Sequence, residues 1–355
     1  MEFKPGRNEE KIKEMFENFC IVNGELVRLD ELQNWGYQDF INFMQKRIPT
    51  KLYKYFPNIE EEMNVNYSLD AIQHNTVHLS YPSVFDDIYD SDISVSFDTF
   101  ERLRLIEYCR RCNVEADKSE SVDVIEKKLM EKLNSFENYI DAFDESKCTE
   151  IEILSNELFC RLLKLELEND GSIEDMMETE YSRCLKDLKN TFKTTCFATT
   201  PYSQLMWGGI YANCHRGFCL EYTISKEAKY KIILENLFPL VYSKVRSNME
   251  EEFIKQIDEY PTDETLKNVY IHGALRKSID WSFQDEWRLL MLDGMPGMKE
   301  SKVEFFPISK VYLGYRMSDE ERDKIISICE QKGIEYVGVR KRQDIFEMEE
   351  CDIKR

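Results

Sequence analysis

CFATTPYSQLMWGGIYANCHRGFCLEY, residues 196–222, is the segment from which the architecture is most readily inferred. Its two ends are typical of strands, and its middle is typical of a helix that Ser203 can cap and that carries Met206, Trp207 and Tyr211. The basic turn His215-Arg216-Gly217 separates this helix from the second strand. The segment therefore predicts a strand, a short helix, a basic corner and another strand within 27 residues.

Alternating apolar and polar residues predict further strands on both sides of this segment. The predicted strands are 51–56 (KLYKYF), 76–81 (TVHLSY), 194–198, 216–224, 237–243, 283–292 and 301–306. Near the C-terminus, KVYLGY and IEYVGV flank a helix at 319–331, which Ser318 and Glu321 can begin as a capping box. This β-α-β order favours parallel pairing of its two strands. The predicted class is α+β, with a mixed twisted central sheet, flanking helices and a helical insertion.

Three regions are predicted along the chain. Residues 1–50 are predicted to form an N-terminal helical and hairpin cap, in which Asn23-Gly24 is typical of a type I′ turn. Residues 98–190 are predicted to form a helical insertion, because apolar residues recur there at steps of three and four. The α+β core domain then consists of residues 51–97 and 191–345.

The overall composition limits the classes of function. The 355-residue chain has a formal net charge of −21, which argues against bulk binding of nucleic acid because phosphate neutralisation needs clustered Lys and Arg. Its 11 cysteines include one CxxC, Cys109–Cys112, without a second pair that would complete a zinc site. An odd cysteine count without a signal peptide indicates reduced thiols, and no apolar run is long enough for a membrane span. We therefore expect no membrane partner and a cytoplasmic location.

SFQDEWRLLML, residues 282–292, contains the strongest candidate for a catalytic group. If the segment is a strand, Gln284, Glu286 and Arg288 project from one face of the sheet, and the intervening residues project from the other. A carboxylate between an amide and a guanidinium has two interpretations. It can form a structural pair with Arg288 or with neighbouring strands, or Glu286 can be catalytic with Gln284 beside it.

LSYPSVFDDIYDSD, residues 79–92, contains a cluster of acidic side chains. Ser80 precedes a turn, and Asp86, Asp87 and Asp90 follow it. Closely spaced carboxylates can bind a divalent cation or position a substrate hydroxyl. The spacing does not match a calcium loop, and a helical turn with exposed acids explains it equally well, so no metal ligand is assigned.

Four residues of the central segment are candidates for ligand contacts. Trp207 and Tyr211, one helical turn apart, are either core residues or aromatic surfaces for a ligand. Gly208-Gly209 is unfavourable inside a helix by roughly 1 kcal/mol per glycine, which suggests close approach of another backbone or a ligand. His215 and Arg216 suit an anion site at a helix end, although Arg216 also fits an ordinary surface charge.

Four segments occur in the order of the motifs of DUF2971, a large bacterial family of unknown function. KLYKYF resembles its L-Y-[KR]-Y strand, and HLSYPSVFDDIYD resembles its P-x-x-F-N-D-P-F-[DE] turn, with Asp86 in place of Asn. Residues 196–222 resemble C-F-S, M-W-x-x-Y-A and H-x-G-x-C, and KSIDWSFQDEWRLL (277–290) resembles K-x-x-x-W-x-y-E-x-E-W-R. The resemblance spans residues 51 to about 340, with 98–190 as a variable insertion, and it implies no settled activity.

The order of these motifs also resembles that of ADP-ribosyltransferases. Those enzymes have a basic residue on a first strand, a Ser/Thr-containing strand next and a [QE]-x-E strand last, and here Lys54, Ser80 and Gln284-x-Glu286 fall in that order. The resemblance implies NAD as the substrate, with Glu286 on the ribose 2′-hydroxyl to stabilise an oxocarbenium-like transition state. Gln284 would orient the acceptor. Two residues depart from the expected patterns, because Lys54 replaces the Arg of the ADP-ribosyltransferases and Gln284 replaces the usual Glu of the DUF2971 motif.

The same resemblance implies a set of binding residues and a biological setting. The residues implied to bind NAD are Lys54, Ser80, Trp207, Tyr211, His215 and Arg216. Lys54 and Arg216 would hold the pyrophosphate, and Trp207 or Tyr211 would stack on the nicotinamide. The cap or the helical insertion would select a protein target, and the protein would act as a bacterial toxin or a phage-defence effector.

Two other functions are left open by the sequence. The chain can be a non-catalytic module of a defence system, which senses a nucleotide or a phage protein through the same groove. It can also be a metal-dependent nuclease that uses Asp86, Asp87 and Glu286. Stabilisation by NAD without turnover indicates the first function, and divalent-ion-dependent cleavage of nucleic acid indicates the second.

Overall fold

A computed structural model of the protein describes residues 18–33, 37–59, 66–135, 156–249, 272–292 and 301–353. As far as they are described, Met1–Asp92, Lys189–Arg246 and Gly273–Arg355 form one compact unit, and Ile93–Leu188 and Ser247–His272 form another. The second unit thus begins earlier than residue 98, and it includes a later piece of chain that the hydrophobic pattern does not indicate.

The secondary structure is mixed. The described strands are β1 (Phe19–Val22), β2 (Glu25–Arg28), β3 (Lys51–Phe56), β4 (Thr76–His78), β5 (Ile93–Ser94), β6 (Phe192–Ala198), β7 (Phe218–Thr223), β8 (Leu237–Pro239), β9 (Val241–Ser243), β10 (Ser247–Asn248), β11 (Arg276–Ser278), β12 (Glu286–Leu292), β13 (Lys302–Glu304), β14 (Ile308–Leu313), β15 (Glu335–Lys341) and β16 (Met348–Cys351). The described α-helices are α1 (Leu29–Gln33), α2 (Tyr37–Gln45), α3 (Tyr67–His74), α4 (Phe97–Arg111), α5 (Val122–Asn134), α6 (Asn156–Asp170), α7 (Ile173–Lys189), α8 (Gln204–Gly208), α9 (Lys231–Glu235) and α10 (Asp319–Lys332).

An eight-stranded mixed sheet is the framework of the first unit. Its strand order is β16-β15-β14-β7-β3-β6-β12-β8. β14 and β15 run parallel, and the other neighbouring strands run antiparallel. The prediction of an α+β fold with a mixed central sheet and flanking helices is therefore confirmed.

The β-α-β unit predicted near the C-terminus consists of β14, α10 and β15. The Ser318 side chain accepts a bond from the backbone of Glu321, whose own side chain completes the capping box. Gly333 ends the helix with a left-handed φ of 67°. The chain then returns so that Lys310 lies opposite Glu335 in a parallel pair. These local signals determine the pairing of β14 with β15, which lies next to the edge strand β16.

The central segment folds with one difference from the prediction. α8 begins as expected, because the Ser203 hydroxyl accepts a bond from the Met206 amide. The helix ends at Gly208, since Gly209 has an extended backbone. Tyr211 therefore lies in a separate 3-10 turn, Ile210–Ala212, and not on the same α-helix as Trp207.

A left-handed corner connects this turn to β7. Asn213, Cys214 and His215 have φ values of 46°, 51° and 68°. Gly314 lies so close to the corner that an added Cβ would be 2.4 Å from the His215 carbonyl oxygen and 2.5 Å from that of Gly217. The Gly314 amide donates to the Gly217 carbonyl at 3.0 Å. The corner can therefore form only because residue 314 has no side chain.

The N-terminal hairpin belongs to the first unit. Asn23 and Gly24 have φ values of 49° and 74°, as a type I′ turn requires. β1 pairs with β9, which pairs with β11, in a four-stranded sheet of order β11-β9-β1-β2. This pairing joins the described part of residues 1–50 to the core residues and does not leave it as a separate cap.

Several predicted strands are shorter than expected or divided. Residues Ile279–Gln284 form a 3-10 helix, so β12 begins only at Glu286. Asp285 has a left-handed φ of 41°, which interrupts the extended backbone. The predicted strand 237–243 divides into β8 and β9, which belong to different sheets. β4 ends before Ser80, which makes an isolated bridge with Thr194.

Each unit has its own apolar core. On one face of the large sheet, Phe197 and Phe305 stack with ring centroids 4.5 Å apart, and Tyr222 meets Phe305 edge-on at 5.0 Å. In the second unit, α4 to α7 share a core that includes Leu103, Leu105, Ile125, Leu129, Leu163 and Met177. Within the described ranges, no helix combines the length and the apolar character needed to traverse a bilayer.

We expect Gly314→Ala to lower the free energy of unfolding by about 3 kcal/mol or more, because the methyl group would overlap two backbone carbonyl oxygens. Gly208→Ala is the matched control, since its Cβ would find its nearest neighbour at 3.8 Å. We expect that change to alter stability by less than about 1 kcal/mol. Urea unfolding of both variants measures the difference, and equal stabilities would contradict this account of the corner.

Candidate functional site

A cavity of about 280 Å³ lies in the first unit where β12 begins. The aromatic residues in its wall are Tyr53, Tyr55, Phe85, Phe197, Tyr211 and Trp281. The charged residues in its wall are Lys54, Asp86, Asp87, Asp90, Lys277 and Glu286. Gln284 and Cys196 also line it. A concave site with aromatic walls and a few convergent polar groups is typical of a small-molecule site.

Four buried charges form a closed network at this cavity. Arg288 Nε and Nη2 donate to Glu286 Oε1 at 3.0 and 2.8 Å, and its Nη1 and Nη2 donate to the two oxygens of Asp90 at 2.9 and 3.0 Å. Lys277 Nζ lies 3.2 Å from Glu286 Oε2 and 3.1 Å from Asp90 Oδ2. None of these side chains is more than 8% exposed. The charges of two cations and two carboxylates therefore cancel in a site that is shielded from water.

The left-handed residue Asp285 positions the two residues that flank it. Gln284 ends the 3-10 helix and Glu286 begins β12, yet both side chains reach Lys277. Lys277 Nζ donates to Gln284 Oε1 at 3.0 Å, and Gln284 Nε2 donates to the Tyr211 hydroxyl at 2.6 Å. Gln284 and Glu286 thus face one cavity, as the alternation predicts, although only Glu286 belongs to a strand.

The network keeps its members charged. Burial alone would raise the pKa of Glu286, but Arg288 and then Lys277 outweigh it and hold that pKa below its ordinary value. The pKa of Asp90 is lowered in the same way, against burial, by Arg288 and Lys277. Burial opposes the charge of Lys277, and Glu286 and Asp90 more than offset this and raise its pKa. Glu286 is therefore an ionised carboxylate at neutral pH.

Lys54 is the cavity's other lysine, and it has no carboxylate partner among the described residues. Its Nζ donates to Thr195 Oγ1 at 2.8 Å and to the Cys196 carbonyl at 3.0 Å, and it lies 5.4 Å from the ring centroid of Phe197. Burial lowers the pKa of Lys54, and the nearby Cys196 and Glu286 offset this only in part. Such an amine can hold an anionic group of a ligand.

The structure brings four of the predicted site residues together, namely Lys54, Tyr211, Gln284 and Glu286. Ser80 is not in the cavity wall, because β4 has ended before it and its backbone pairs with Thr194. His215 and Arg216 are also absent from the wall of this cavity. Arg216 is exposed, which agrees with an ordinary surface charge.

Trp207 is a core residue. It is fully buried, its Nε1 donates to the Pro201 carbonyl at 2.7 Å, and its ring packs edge-on against Tyr55. The His215 ring stacks parallel to it, with centroids 6.4 Å apart, and also covers Gly208. Trp207 therefore offers no free face for a ligand, and the close approach expected at Gly208 comes from a side chain of the protein.

Three residues of the site were not predicted as site residues. Lys277 and Trp281 both line the cavity, and they are the K and W of the K-x-x-x-W motif that precedes Glu286. The sequence suggests Asp90 only as a ligand of a cation or of a substrate hydroxyl, whereas its partner in the structure is Arg288. The motif was the available signal for the first two, whereas no local signal indicates the pairing of Asp90.

The carboxylates do not form a metal-binding set. Among the described residues, no group of three or more His, Cys, Asp or Glu is arranged to hold a metal ion. Asp86 and Asp87 line the cavity, but the oxygens of Glu286 are engaged by Arg288 and Lys277. The acids considered for a nuclease are therefore not disposed as joint ligands.

Comparison with known proteins assigns no family: no protein-family model, no curated protein and no solved structure matches this chain. The resemblance to DUF2971 and to ADP-ribosyltransferases stays a prediction that rests on the motifs.

We expect Asp90→Asn to lower the free energy of unfolding by about 3–5 kcal/mol at pH 7, because Arg288 and Lys277 would then share a single buried carboxylate. Asp86→Asn is the control, since Asp86 is an exposed residue in the same wall. We expect that control to differ from wild type by less than about 0.5 kcal/mol.

The same variant has an expected pH dependence. The carboxyls of Asp90 and Glu286 have lower pKa values in the folded protein than in the unfolded chain. Their contribution to the free energy of unfolding is therefore complete above the unfolded pKa of about 4, and it is lost as the pH falls toward the folded pKa values. Wild type should lose stability below about pH 5 more steeply than Asp90→Asn. Urea unfolding between these pH values and neutrality measures both slopes, and identical slopes would count against the network.

Proposed function

We propose that this cavity binds NAD and breaks the bond between its nicotinamide and ribose, with water or a protein side chain as the acceptor. The observation that carries the proposal is that Glu286 and Gln284 line one cavity with Lys54 and Tyr211. In the resemblance to ADP-ribosyltransferases, Lys54 and Glu286 are implied to contact NAD and Gln284 is implied to orient the acceptor. Tyr211 would stack on the nicotinamide. Kinship to DUF2971 and a cytoplasmic location are parts of the same proposal.

Glu286 would supply the negative charge that the reaction needs. When the bond between ribose C1′ and the nicotinamide nitrogen breaks, its electron pair leaves with the neutral nicotinamide and positive charge develops on the ribose. A carboxylate that stays ionised, as the lowered pKa of Glu286 indicates, stabilises that charge in a site shielded from water. The nucleophilic atom of the acceptor, whether water or a side chain, then forms the new bond at C1′ and releases its proton to solvent.

The charge of the wall suits a cationic ring. The network of Asp90, Glu286, Lys277 and Arg288 is balanced, so the remaining charged groups in the wall are Asp86, Asp87 and Lys54. Their sum is negative by one charge. The nicotinamide ring of NAD is positive, and Tyr211 and Trp281 would offer aromatic surfaces to it.

The size of the cavity limits which part of the ligand it holds. Its volume of about 280 Å³ is near the lower end of the roughly 300–1,000 Å³ range of ligand sites. The nicotinamide riboside end of NAD would occupy it, and the rest of the dinucleotide would extend outside.

Lys277 is the group that a bound ribose would displace. It holds Glu286 Oε2 at 3.2 Å, while Glu286 Oε1 is held separately by Arg288. A 2′-hydroxyl can therefore take the place of Lys277 at Oε2 without leaving the carboxylate unpaired. Lys277 would keep its contact with Asp90, at 3.1 Å.

A non-catalytic module that senses a nucleotide or a protein is the second candidate. The observation that favours it is that both oxygens of Glu286 already hold cations, which suits a rigid binding wall. A role as a toxin or phage-defence effector, with a protein target, fits either candidate and belongs to the proposal.

We expect Glu286→Gln to lower the rate of nicotinamide release from NAD at least about 10³-fold, because a neutral amide cannot stabilise the positive ribose. Asp86→Asn, in the same wall, is expected to keep more than about a tenth of the activity, since it only changes the field at a distance. Chromatography of released nicotinamide measures the rates, and thermal melts with and without NAD follow folding and binding.

The outcomes separate the two candidates. A folded Glu286→Gln protein with the wild-type rate would refute the catalytic role. A wild-type protein that NAD stabilises without any release of nicotinamide would establish the sensing module instead.

Trp281→Ala should raise the KM for NAD about 10- to 100-fold with little change in melting temperature, because a partly exposed ring that stacks on a base is worth about 1–3 kcal/mol. Trp207→Phe should do the opposite, lowering the melting temperature and leaving KM unchanged, because Trp207 is fully buried. Initial-rate kinetics and thermal melts distinguish these patterns. A raised KM for Trp207→Phe together with an unchanged KM for Trp281→Ala would assign the ring contact to Trp207.

A further inference from the structure

A second cavity, of about 230 Å³, lies in the first unit at the end of β9. Four cations line it, Lys244, Arg246, Arg276 and Lys277, together with one carboxylate, Asp92. This concentration of positive charge contrasts with the formal net charge of −21 for the whole chain. The local field therefore has the opposite sign to that of the molecule.

Two of these cations already have carboxylate partners. Arg246 Nη2 lies 2.5 Å from Asp92 Oδ2, and Lys277 belongs to the balanced network with Asp90 and Glu286. Lys244 and Arg276 have no ion pair with any described residue. Within the described part of the chain, the cavity wall thus carries two positive charges without a compensating carboxylate.

Of these two cations, Arg276 is the buried one and therefore has the greater need of an anionic partner. It is 5% exposed, and its Nε and Nη1 find no hydrogen-bond acceptor among the described residues. Burial lowers its pKa, but a guanidinium does not lose its proton in a protein. β11 pairs with β9, so Arg276 is fixed opposite Val241 and cannot leave the interior without disrupting the sheet.

Among the residues that the structure describes, no neighbouring group supplies the missing negative charge. Burial raises the pKa of the Cys20 thiol to about 11, against the lowering influence of Arg276, so this thiol is neutral at pH 7. An unpaired buried cation is strongly unfavourable, which makes an anion from solution the natural partner.

We propose that this cavity binds a phosphate-type oxyanion through the charges of Arg276 and Lys244. Ser243 is a further donor, because its oxygen accepts a bond from the Val245 amide at 3.0 Å and its hydroxyl proton is left to donate. A doubly charged anion matches the two uncompensated cations, and guanidinium groups pair well with phosphate oxygens. The volume exceeds that of a phosphate ion, so free phosphate and the phosphate group of a nucleotide share the required chemistry.

Calorimetric titration of the full-length protein with inorganic phosphate, at constant ionic strength in chloride, tests this site. Wild type should bind phosphate saturably. Lys244→Ala should weaken binding about tenfold and Arg276→Gln at least about a hundredfold, as loss of a charge-assisted contact implies. Lys341→Ala, at an exposed lysine that lines neither cavity, is the matched control and should bind as wild type does.

Lys244 is exposed, so the Lys244→Ala variant keeps the test decisive if Arg276→Gln does not fold. Absence of saturable binding to wild type overturns the proposal, and so does binding that Lys244→Ala leaves unchanged. A parallel titration with AMP separates the two sources, because tighter binding of AMP than of phosphate assigns the site to a nucleotide and equal binding assigns it to the free ion. The test does not involve NAD turnover, so its failure is distinguishable from failure of the proposed reaction.

Discussion

The buried guanidinium of Arg288 is the group on which the first cavity depends. It has no exposed surface, and it donates to Asp90, Glu286, the Ser91 hydroxyl and the Ala274 carbonyl. These acceptors come from three separate stretches of the chain. The cost of removing a guanidinium from water is offset only when all of these acceptors are in place. Arg288 therefore holds three pieces of chain in one arrangement: the segment before β5, the residues before β11, and β12.

This arrangement has a direct consequence for the two lysines of the cavity. Lys277 faces two carboxylates and its pKa is raised, whereas Lys54 contacts a hydroxyl and a carbonyl and its pKa is lowered. The same cavity therefore contains a lysine that is firmly protonated and one that loses its proton more readily. Sites in which neighbouring groups are driven toward different protonation states are suited to acid-base and charge-stabilising chemistry. The network thus stabilises the packing, and in the proposed reaction it would also set the charge of the site, so that removing one member would affect both.

The sequence predicts the local features of this fold well and the long-range ones poorly. Ser318, Asn23-Gly24 and Ser203 act through backbone groups within a few residues, so their caps and turns can be inferred from spacing. The pairing of Asp90 with Arg288 joins residues 198 positions apart, and no periodicity reveals it. Alternation grouped Gln284 with Glu286 correctly, but it could not show the left-handed Asp285 between them. Aromatic spacing is equally ambiguous, because a ring such as Trp207 has the same sequence signal in a core as in a binding site.

Lys277 connects the two proposals, because it lines both cavities. In the first cavity it holds the oxygen of Glu286 that a ribose hydroxyl would need. An oxyanion in the second cavity would add negative charge beside the same ammonium group and weaken its preference for Glu286. The release of Glu286 Oε2 would then cost less, so the two ligands would favour one another. Linkage requires that such an effect be equal in both directions, and a shared, buried lysine between two cavities is a physical route by which it can arise.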